Sequence, residues 1–516
     1  MVAAADWTDG YVTSIAFSHG YSPELNPLHM RLAFVRAGLK VPPITTACEL
    51  GYGQGVSLGI HAAASLTQWY GTDFNPIHVN FARELTKASG TGSRLYNESF
   101  ADFANRSDLP DFDYIGLNGV WSWISEQNRA VIVDFLRRRL KVGGVFYLSY
   151  NVLPGWASFA PLRHLLVEHA KIFGANQPGI VERSDGALNF VAKLLATKSG
   201  YSEDNPKAAE FFTYLNSHSR RYLVHEFFGR DWQPMHFAAT AHLLAPANLS
   251  YVCSAAYSEN IDALKLTNDQ QALVAEIGDP GFRESVRDFM VNPTFRRDYW
   301  VRGATRLSAS DWEQAVRAKR VVLVEHQPDL PFKVRAVLAL NKANPDAEIC
   351  TAILTMLADQ QNMTLGQIEA SLKGRVTTLA QVLEAVTLIA GYRYVAPAQD
   401  DAVVEQVRGH TDNLNSYLIG QARDNGDVRH LASPVTGGGI GVRRREQLFL
   451  GALRRGETRP DQWAQAAWQV LSAEGYKGVK DGKILETAEE NLTELRARAR
   501  TFDSTELPLL KSLKVI

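Results

Sequence analysis

Cysteine is scarce. Only Cys48, Cys253 and Cys350 occur in 516 residues, far apart and with no C-x-x-C pair. That excludes a disulfide framework and a structural zinc, and predicts three buried, small apolar side chains. Charge of one sign is lacking too: 54 Lys and Arg stand against 55 Asp and Glu, a net charge of −1. Nothing in that balance favours nucleic acid or an acidic membrane. No apolar run approaches the ~20 residues of a membrane span. The opening MVAAADWTDG has neither the basic start nor the apolar core of a secretion signal, so the chain reads as cytoplasmic, without membrane insertion. His164 and His169 are five apart in HLLVEH and do not share a helical face as a zinc-binding pair does, so no metal is expected. Gly437 to Gly439 lacks the G-K-[S/T] ending of a phosphate loop and reads as a mobile turn.

What is present is concentrated near the N-terminus. CELGYGQGVSL (Cys48 to Leu58) sets Gly51, Gly53 and Gly55 between an apolar strand pattern and an apolar helix pattern, and GTDFNP (Gly71 to Pro76) follows. Glycines at such a turn let backbone approach a ligand, and the N–H groups of the helix start favour a carboxylate or phosphate. Asp73, ending the next apolar run, is placed to take two ribose hydroxyls. A dinucleotide fold shares these features, but its spacing is G-x-G-x-x-G. Here the spacing is G-x-G-x-G and Glu49 precedes it, which suits a ligand bearing an amino group. The pattern resembles motif I and its acidic partner in class I S-adenosylmethionine-dependent methyltransferases. That resemblance implies S-adenosylmethionine as cofactor, S-adenosylhomocysteine as product, and Glu49, Gly51, Tyr52, Gly53, Gly55, Asp73, Phe74 and Asn75 at the site.

Strand patterns at Thr45–Leu50, Gln68–Asp73, Ser93–Asn97, Phe112–Leu117 and Val145–Tyr150 alternate with helical ones, as a mostly parallel, doubly wound α/β sheet requires. Between the last two strands, Ser125 reads as a helix N-cap, Gly143 as the stop, and Arg137 to Arg139 as complements to the helix dipole. In such sheets ligands lie beyond the carboxyl ends of the strands. ESFADF after the third strand offers Ser99, the Phe100 backbone and Asp102 to an adenine, with Asp102 alternatively beginning the next helix. The ends of the fourth and fifth strands carry Asn118, Gly119, Trp121, Trp123, Tyr150, Asn151 and Trp156. Aromatics and amides beside a sulfonium suit a methyl-acceptor pocket. The expected catalytic set is Asn118, Trp121, Tyr150, Asn151 and Trp156, and Asn118 and Gly119 also face the cofactor.

GVWSWIS and SYNVLPGW resemble a bacterial family in which a methyltransferase domain is followed by a methyltransferase regulatory domain, a group that includes lysine methyltransferases of outer-membrane proteins. YLVHEFFGRDWQPMHF (Tyr222 to Phe237), DFMVNPTFRRDYWVR (Asp288 to Arg302) and HLASPVTGGG (His430 to Gly439) extend the likeness along the chain. The resemblance implies a methyltransferase domain at 1–160, a helical connector at 161–205, a regulatory middle domain at 206–325 and a largely helical C-terminal region at 326–516. Residues 347–398 of that region resemble a winged helix. Its third helix, Thr377 to Gly391, has no Lys or Arg, which argues against nucleic acid. Where relatives often carry His this chain has Asn118, which cannot act as a general base. The acceptor expected is a protein lysine, on an outer-membrane protein before export. A small molecule or glycan is the alternative acceptor, and a sensor of S-adenosylmethionine the alternative to an enzyme. A homodimer is left open.

Overall fold

The structure, a computed structural model, describes residues 17–174, 179–325, 347–360, 362–372 and 378–516, with residues 10, 13, 15 and 177. The expected boundary at 326 and the helix start at Thr377 lie outside the described residues.

A seven-stranded sheet organises the chain, in the order β3-β2-β1-β4-β5-β7-β6. Its strands are β1 (Thr46–Leu50), β2 (Gln68–Thr72), β3 (Arg94–Tyr96), β4 (Phe112–Leu117), β5 (Leu140–Asn151), β6 (Leu249–Ser254) and β7 (Phe295–Arg302). The first five are parallel, and β7 runs antiparallel between β5 and β6. A reversed strand inserted there departs from the 3-2-1-4-5-6 order of dinucleotide-binding folds.

Helices α1 (Pro27–Arg36), α2 (Val56–Ala63), α3 (Pro76–Ser89), α4 (Phe100–Ala104) and α5 (Glu126–Arg139) cover this sheet. Local chemistry sets their ends. Asn75 caps α3 by accepting from the Ile77 N–H, and left-handed Gly90 closes it. Ser125 caps α5 as expected, but that helix ends at Arg139 and Gly143 lies within β5. Arg138 and Arg139 donate to the carbonyls of Ala104, Leu109 and Arg106, tying α5 to the loop before β4.

The expected domain boundary at 160 cuts through this sheet. β7 pairs with β5 from Val145–Val301 to Asn151–Phe295. Without it, β5 would present a long unpaired apolar edge, a structure that soluble proteins avoid. The middle region therefore completes the sheet. Between β5 and β6 the chain makes a helical insertion, α6 (Ala160–Ile172), α7 (Ile180–Ala196), α8 (Gly200–Asp204), α9 (Pro206–Asn216) and α10 (Arg220–Phe227). Its separate core contains Trp156, Phe159, Leu166, Val191, Phe212 and Phe227.

β8 (Arg320–Leu323) pairs with β9 (Asn362–Thr364) and β10 (Val395–Ala398). With the helices Ala347–Gln360, Leu365–Ser371 and Leu379–Gly391 they make the winged-helix-like unit, so β8 belongs with the C-terminal region and not with the middle domain. That unit shares its core with α1 and β7. The rest of the C-terminal region packs on α2 and α3. Gly438–Gly441 is there a strand paired with His430–Ser433, where a mobile turn was expected. The last helices are likewise not merely solvated: Leu495, Ala499 and Phe502 lie in the core. All three cysteines are buried.

Candidate functional site

At the carboxyl end of β1 the chain turns through Gly51, Gly53 and Gly55 at φ of 65°, 57° and 69°, backbone that residues with a Cβ rarely adopt. Asp73 ties this turn to the end of β2. One of its oxygens accepts the Gly53 N–H at 2.9 Å, and the other accepts the Asn75 N–H at 2.9 Å. The second oxygen also lies 3.2 Å from His78 Nδ1. Because His78 Nε2 accepts the Phe17 N–H at 3.2 Å, the ring proton stands on Nδ1 and points at Asp73. His78 was missed in the sequence, although a His five residues after the acid, on the first turn of a capped helix, was a readable signal. Phe17 itself lies over the turn, its carbonyl accepting from Gln54 and its ring 5.3 Å from that of His225.

Glu49 sits beneath the turn, 3 % exposed, with its Oε2 buried and without a partner among the described residues. Burial first, then the Asp73 charge, pushes its carboxyl up to about 8. An ammonium group beside it would restore the ionised form. A positive-φ glycine turn, an acid at the end of β2 and a buried carboxyl lacking a cation are the donor set that an amino-acid-bearing nucleoside requires. These residues fit S-adenosylmethionine: when it is bound, Glu49 would meet its amino group, the turn its carboxylate and Asp73 its ribose.

Other expected contacts fall elsewhere. Tyr52 turns inward, its ring packed under Gly55 and Gly71 and its hydroxyl on the Tyr96 carbonyl, so only its backbone belongs to the turn. The Asn75 side chain is a helix cap. Phe74 is half-buried beside it, its carbonyl accepting from Asn97 Nδ2. Ser99 and Asp102 are bonded to each other as the cap of α4, Ser99 Oγ donating to Asp102 at 2.7 Å, in line with Asp102 starting that helix. The Phe100 ring approaches Gly51.

At the acceptor end β5 alternates its faces, as strands do. Tyr147 and Ser149 both donate to Asn118 Oδ1, at 3.1 and 2.8 Å, while Asn118 Nδ2 donates to Ser22 Oγ. Ser149 also accepts the Gly119 N–H, and the space beside Gly119 is open. Asn151, on the same face as Ser149, donates through Nδ2 to Glu226 Oε1 of α10 at 3.2 Å. Burial pushes the Glu226 carboxyl up to about 7. Trp123 Nε1 donates to the Glu226 carbonyl, and Ser122 Oγ accepts the Asn151 N–H. Sequence reasoning missed Glu226, the acid beside His225 in the mostly apolar stretch Leu223–Phe228.

Three expected catalytic residues do not reach this site. Tyr150 points to the opposite face of β5, wholly buried, and donates to Asp298, which also receives Arg296. Trp121 is wholly buried in the core between α5 and β5. Trp156 lies in the aromatic core of the helical insertion, its Nε1 donating to the Thr294 carbonyl at 2.6 Å. The Gly155 before it is fixed by close approach, since a Cβ there would stand 2.0 Å from the Pro293 carbonyl oxygen.

Among the described residues, no group of three or more His, Cys, Asp or Glu is placed to hold a metal, and no helix is long and apolar enough to cross a membrane.

Residues 219–302 match a family described as a predicted methyltransferase regulatory domain. The chain is similar in fold to PKMT2 from Rickettsia typhi, solved in complex with AdoHcy. The TM-score is 0.64 at 16% identity, covering 95% of this chain and 98% of that one. Strand order and glycine turn thus give the class I methyltransferase fold, joined to a region that matches a methyltransferase regulatory domain. The uncharacterized protein sll1526 of Synechocystis sp. is 36% identical over 514 residues, 99% of each chain, and this chain belongs to its family. A further relative, the uncharacterized protein RP789 of Rickettsia prowazekii, is 27% identical over 282 residues, 52% of this chain and 49% of that protein.

Proposed function

We propose that the protein is an S-adenosylmethionine-dependent protein lysine N-methyltransferase. The observation that carries this reading is the chemistry of the acceptor end. Two carboxamides, Asn118 and Asn151, and the carboxylate of Glu226 stand at the ends of β4 and β5, with no Lys or Arg bonded to any of them among the described residues. A set of acceptors with one negative charge suits a cationic amine. The resemblance to PKMT2, whose name denotes a protein lysine methyltransferase, runs through the accessory units as well as the catalytic sheet and supports the same reading.

When bound, S-adenosylmethionine supplies an electrophilic methyl on a sulfonium. The chain's own residues hold the reactants in line and keep water away, which is where most of the rate gain in such a displacement arises. Asn118, locked by Tyr147, Ser149 and Ser22, presents a fixed amide at the end of β4. A lysine must be neutral to react, and at neutral pH deprotonation costs on the order of 4 kcal/mol from a reference pKa of about 10.4. The site must offset that cost.

Tritium transfer from labelled S-adenosylmethionine tests the proposal, with fractionated envelope proteins as one acceptor pool and a protein-free extract as the other. Label in a protein band, mapped to lysine by mass spectrometry, is the expected result. Label confined to the extract would replace lysine by a small-molecule acceptor. Label in neither, with cofactor binding intact by calorimetry, would make the chain a sensor.

A further inference from the structure

We propose that Glu226, contributed by the regulatory region, is the general base of methyl transfer, holding its carboxylate on Asn151 and taking the proton from the acceptor ammonium. This rests on the lysine reading above.

Geometry carries the assignment. Ser149, bonded to Asn118, and Asn151, bonded to Glu226, are two residues apart on one face of β5. Glu226 therefore stands about 7 Å along the strand from the Asn118 network. Asn151 holds only Oε1. Oε2 has no hydrogen-bond partner among the described residues and is not sealed in the protein. The carboxylate is thus anchored at one oxygen and available at the other. Its backbone is fixed by Trp123, and its neighbour His225 meets the Phe17 ring that lies over the glycine turn. This places α10 between the cofactor turn and the end of β5. Asn118, where a base was sought, is an amide and cannot serve.

The groups around Glu226 leave it without a neutralising cation. On its own helix are Tyr222, whose phenol is pushed up by burial and then by Glu226, and His225. From α6, Arg163 reaches this helix but spends its guanidinium on the carbonyls of Phe227 and Gly229. At the start of α10, Arg220 pairs with Asp185 of α7. β5 offers the uncharged Asn151. No ion pair to Glu226 forms among the described residues, and a partly buried carboxylate without one is costly to keep charged. Its carboxyl accordingly sits at about 7, where a base is most effective near neutral pH.

In the step, an N–H bond of the lysine ammonium breaks, its electron pair stays on nitrogen, and the proton passes to Glu226 Oε2. The nitrogen pair then forms the N–CH3 bond while the S–CH3 pair returns to sulfur. Ammonium, sulfonium and carboxylate become methylammonium, thioether and carboxylic acid, with total charge conserved.

The test uses the full-length enzyme and the lysine acceptor found by tritium transfer. For the wild type, kcat is expected to rise with pH through an inflection near 7. Glu226→Gln is expected to lower kcat by roughly 10²- to 10⁴-fold and to abolish the inflection. Its affinity for S-adenosylhomocysteine, by calorimetry, should stay within about twofold, and its deficit should shrink as pH approaches the ~10.4 of free lysine. A merely structural role would show no such rescue. Asn151→Ala removes the hydrogen bond that stabilises the ionised carboxylate, so its inflection is expected at higher pH. It decides the matter if Glu226→Gln does not fold. Wild-type lysine methylation with an unchanged profile in these variants overturns Glu226 while leaving the lysine reading intact. Absence of wild-type label on lysine overturns both.

Discussion

The glycine-turn end of the site is held mainly by residues 49–78, with Phe17 laid over it, whereas the end at β5 joins partners 75 residues apart, Asn151 and Glu226. At the first, Asp73 organises backbone: the Gly53 and Asn75 N–H groups and His78 converge on one carboxylate. At the second, side chains meet because the insertion folds back on the end of β5, where the Met235 N–H donates to the Asn151 carbonyl and the Leu153 N–H to that of Met235. Chemistry common to many ligands is thus encoded locally, and chemistry specific to the acceptor is encoded by tertiary assembly. The sheet couples the two, since the matched regulatory region, residues 219–302, supplies both β6 and β7.

If the two ends are built so differently, mutations should separate them. The largest effect is expected at Trp156, which packs edge-on against Phe159, Phe211 and Trp232 under the insertion. Trp156→Ala should lower stability by about 3–5 kcal/mol, by lost burial and a residual cavity. Urea denaturation would measure this. Below the transition the affinity for S-adenosylhomocysteine should be retained while lysine methylation falls, because only α10 and its contacts are loosened. Equal loss of cofactor affinity would break the comparison.

Asp73→Ala should do the reverse. Hydrogen bonds to charged acceptors contribute roughly 1.5–3 kcal/mol each, and this substitution leaves the Gly53 and Asn75 N–H groups without theirs. A loss of about 3 kcal/mol in cofactor binding, roughly a hundredfold in Kd, is expected by calorimetry. Trp156 should stay in its packed environment by fluorescence. A Kd near that of the wild type would mean that the turn keeps its shape without its acid.

These contrasts also explain what was legible in the residues alone. Strands β1 to β4 fell within a residue of their expected limits, because each is a short apolar run bounded by turn chemistry, and Asn118 and Asn151 were placed correctly at strand ends. Tyr150 was misplaced by one residue's worth of geometry: it neighbours Ser149 and Asn151 in sequence and points the other way in the pleat. Trp121 and Trp156 were grouped with the site by proximity in the chain, but both rings are claimed by cores that later segments complete. The boundary at 160 failed because strand pairing is non-local. One hint was available: the second half of β5, Val145 to Tyr150, reads Val-Phe-Tyr-Leu-Ser-Tyr without the Lys or Pro that guards an edge, as a strand covered on both sides would. Glu226 had no local signature beyond its apolar setting, and its partner was invisible until the insertion folded back.

The smallest predicted effect compares the two raised carboxyls. Glu49, at about 8, is held protonated by burial and by Asp73, whereas Glu226, at about 7, is raised by burial alone. A cationic ligand group beside Glu49 favours its ionised form, so binding S-adenosylhomocysteine below pH 8 must release a proton. Linkage then makes affinity rise with pH, at most tenfold per unit, until the free enzyme has itself lost that proton near 8. The informative window is about pH 6 to 7.5, below the value of the free Glu49 carboxyl. Calorimetry in buffers of different ionisation enthalpy should find proton release there in the wild type and none in Glu49→Gln, whose affinity should be flat with pH. Glu226→Gln should leave both the slope and the release unchanged, because Glu226 faces the acceptor. A slope that followed Glu226 instead would place the ligand's ammonium at the wrong end of the crevice and dissolve the division between the two.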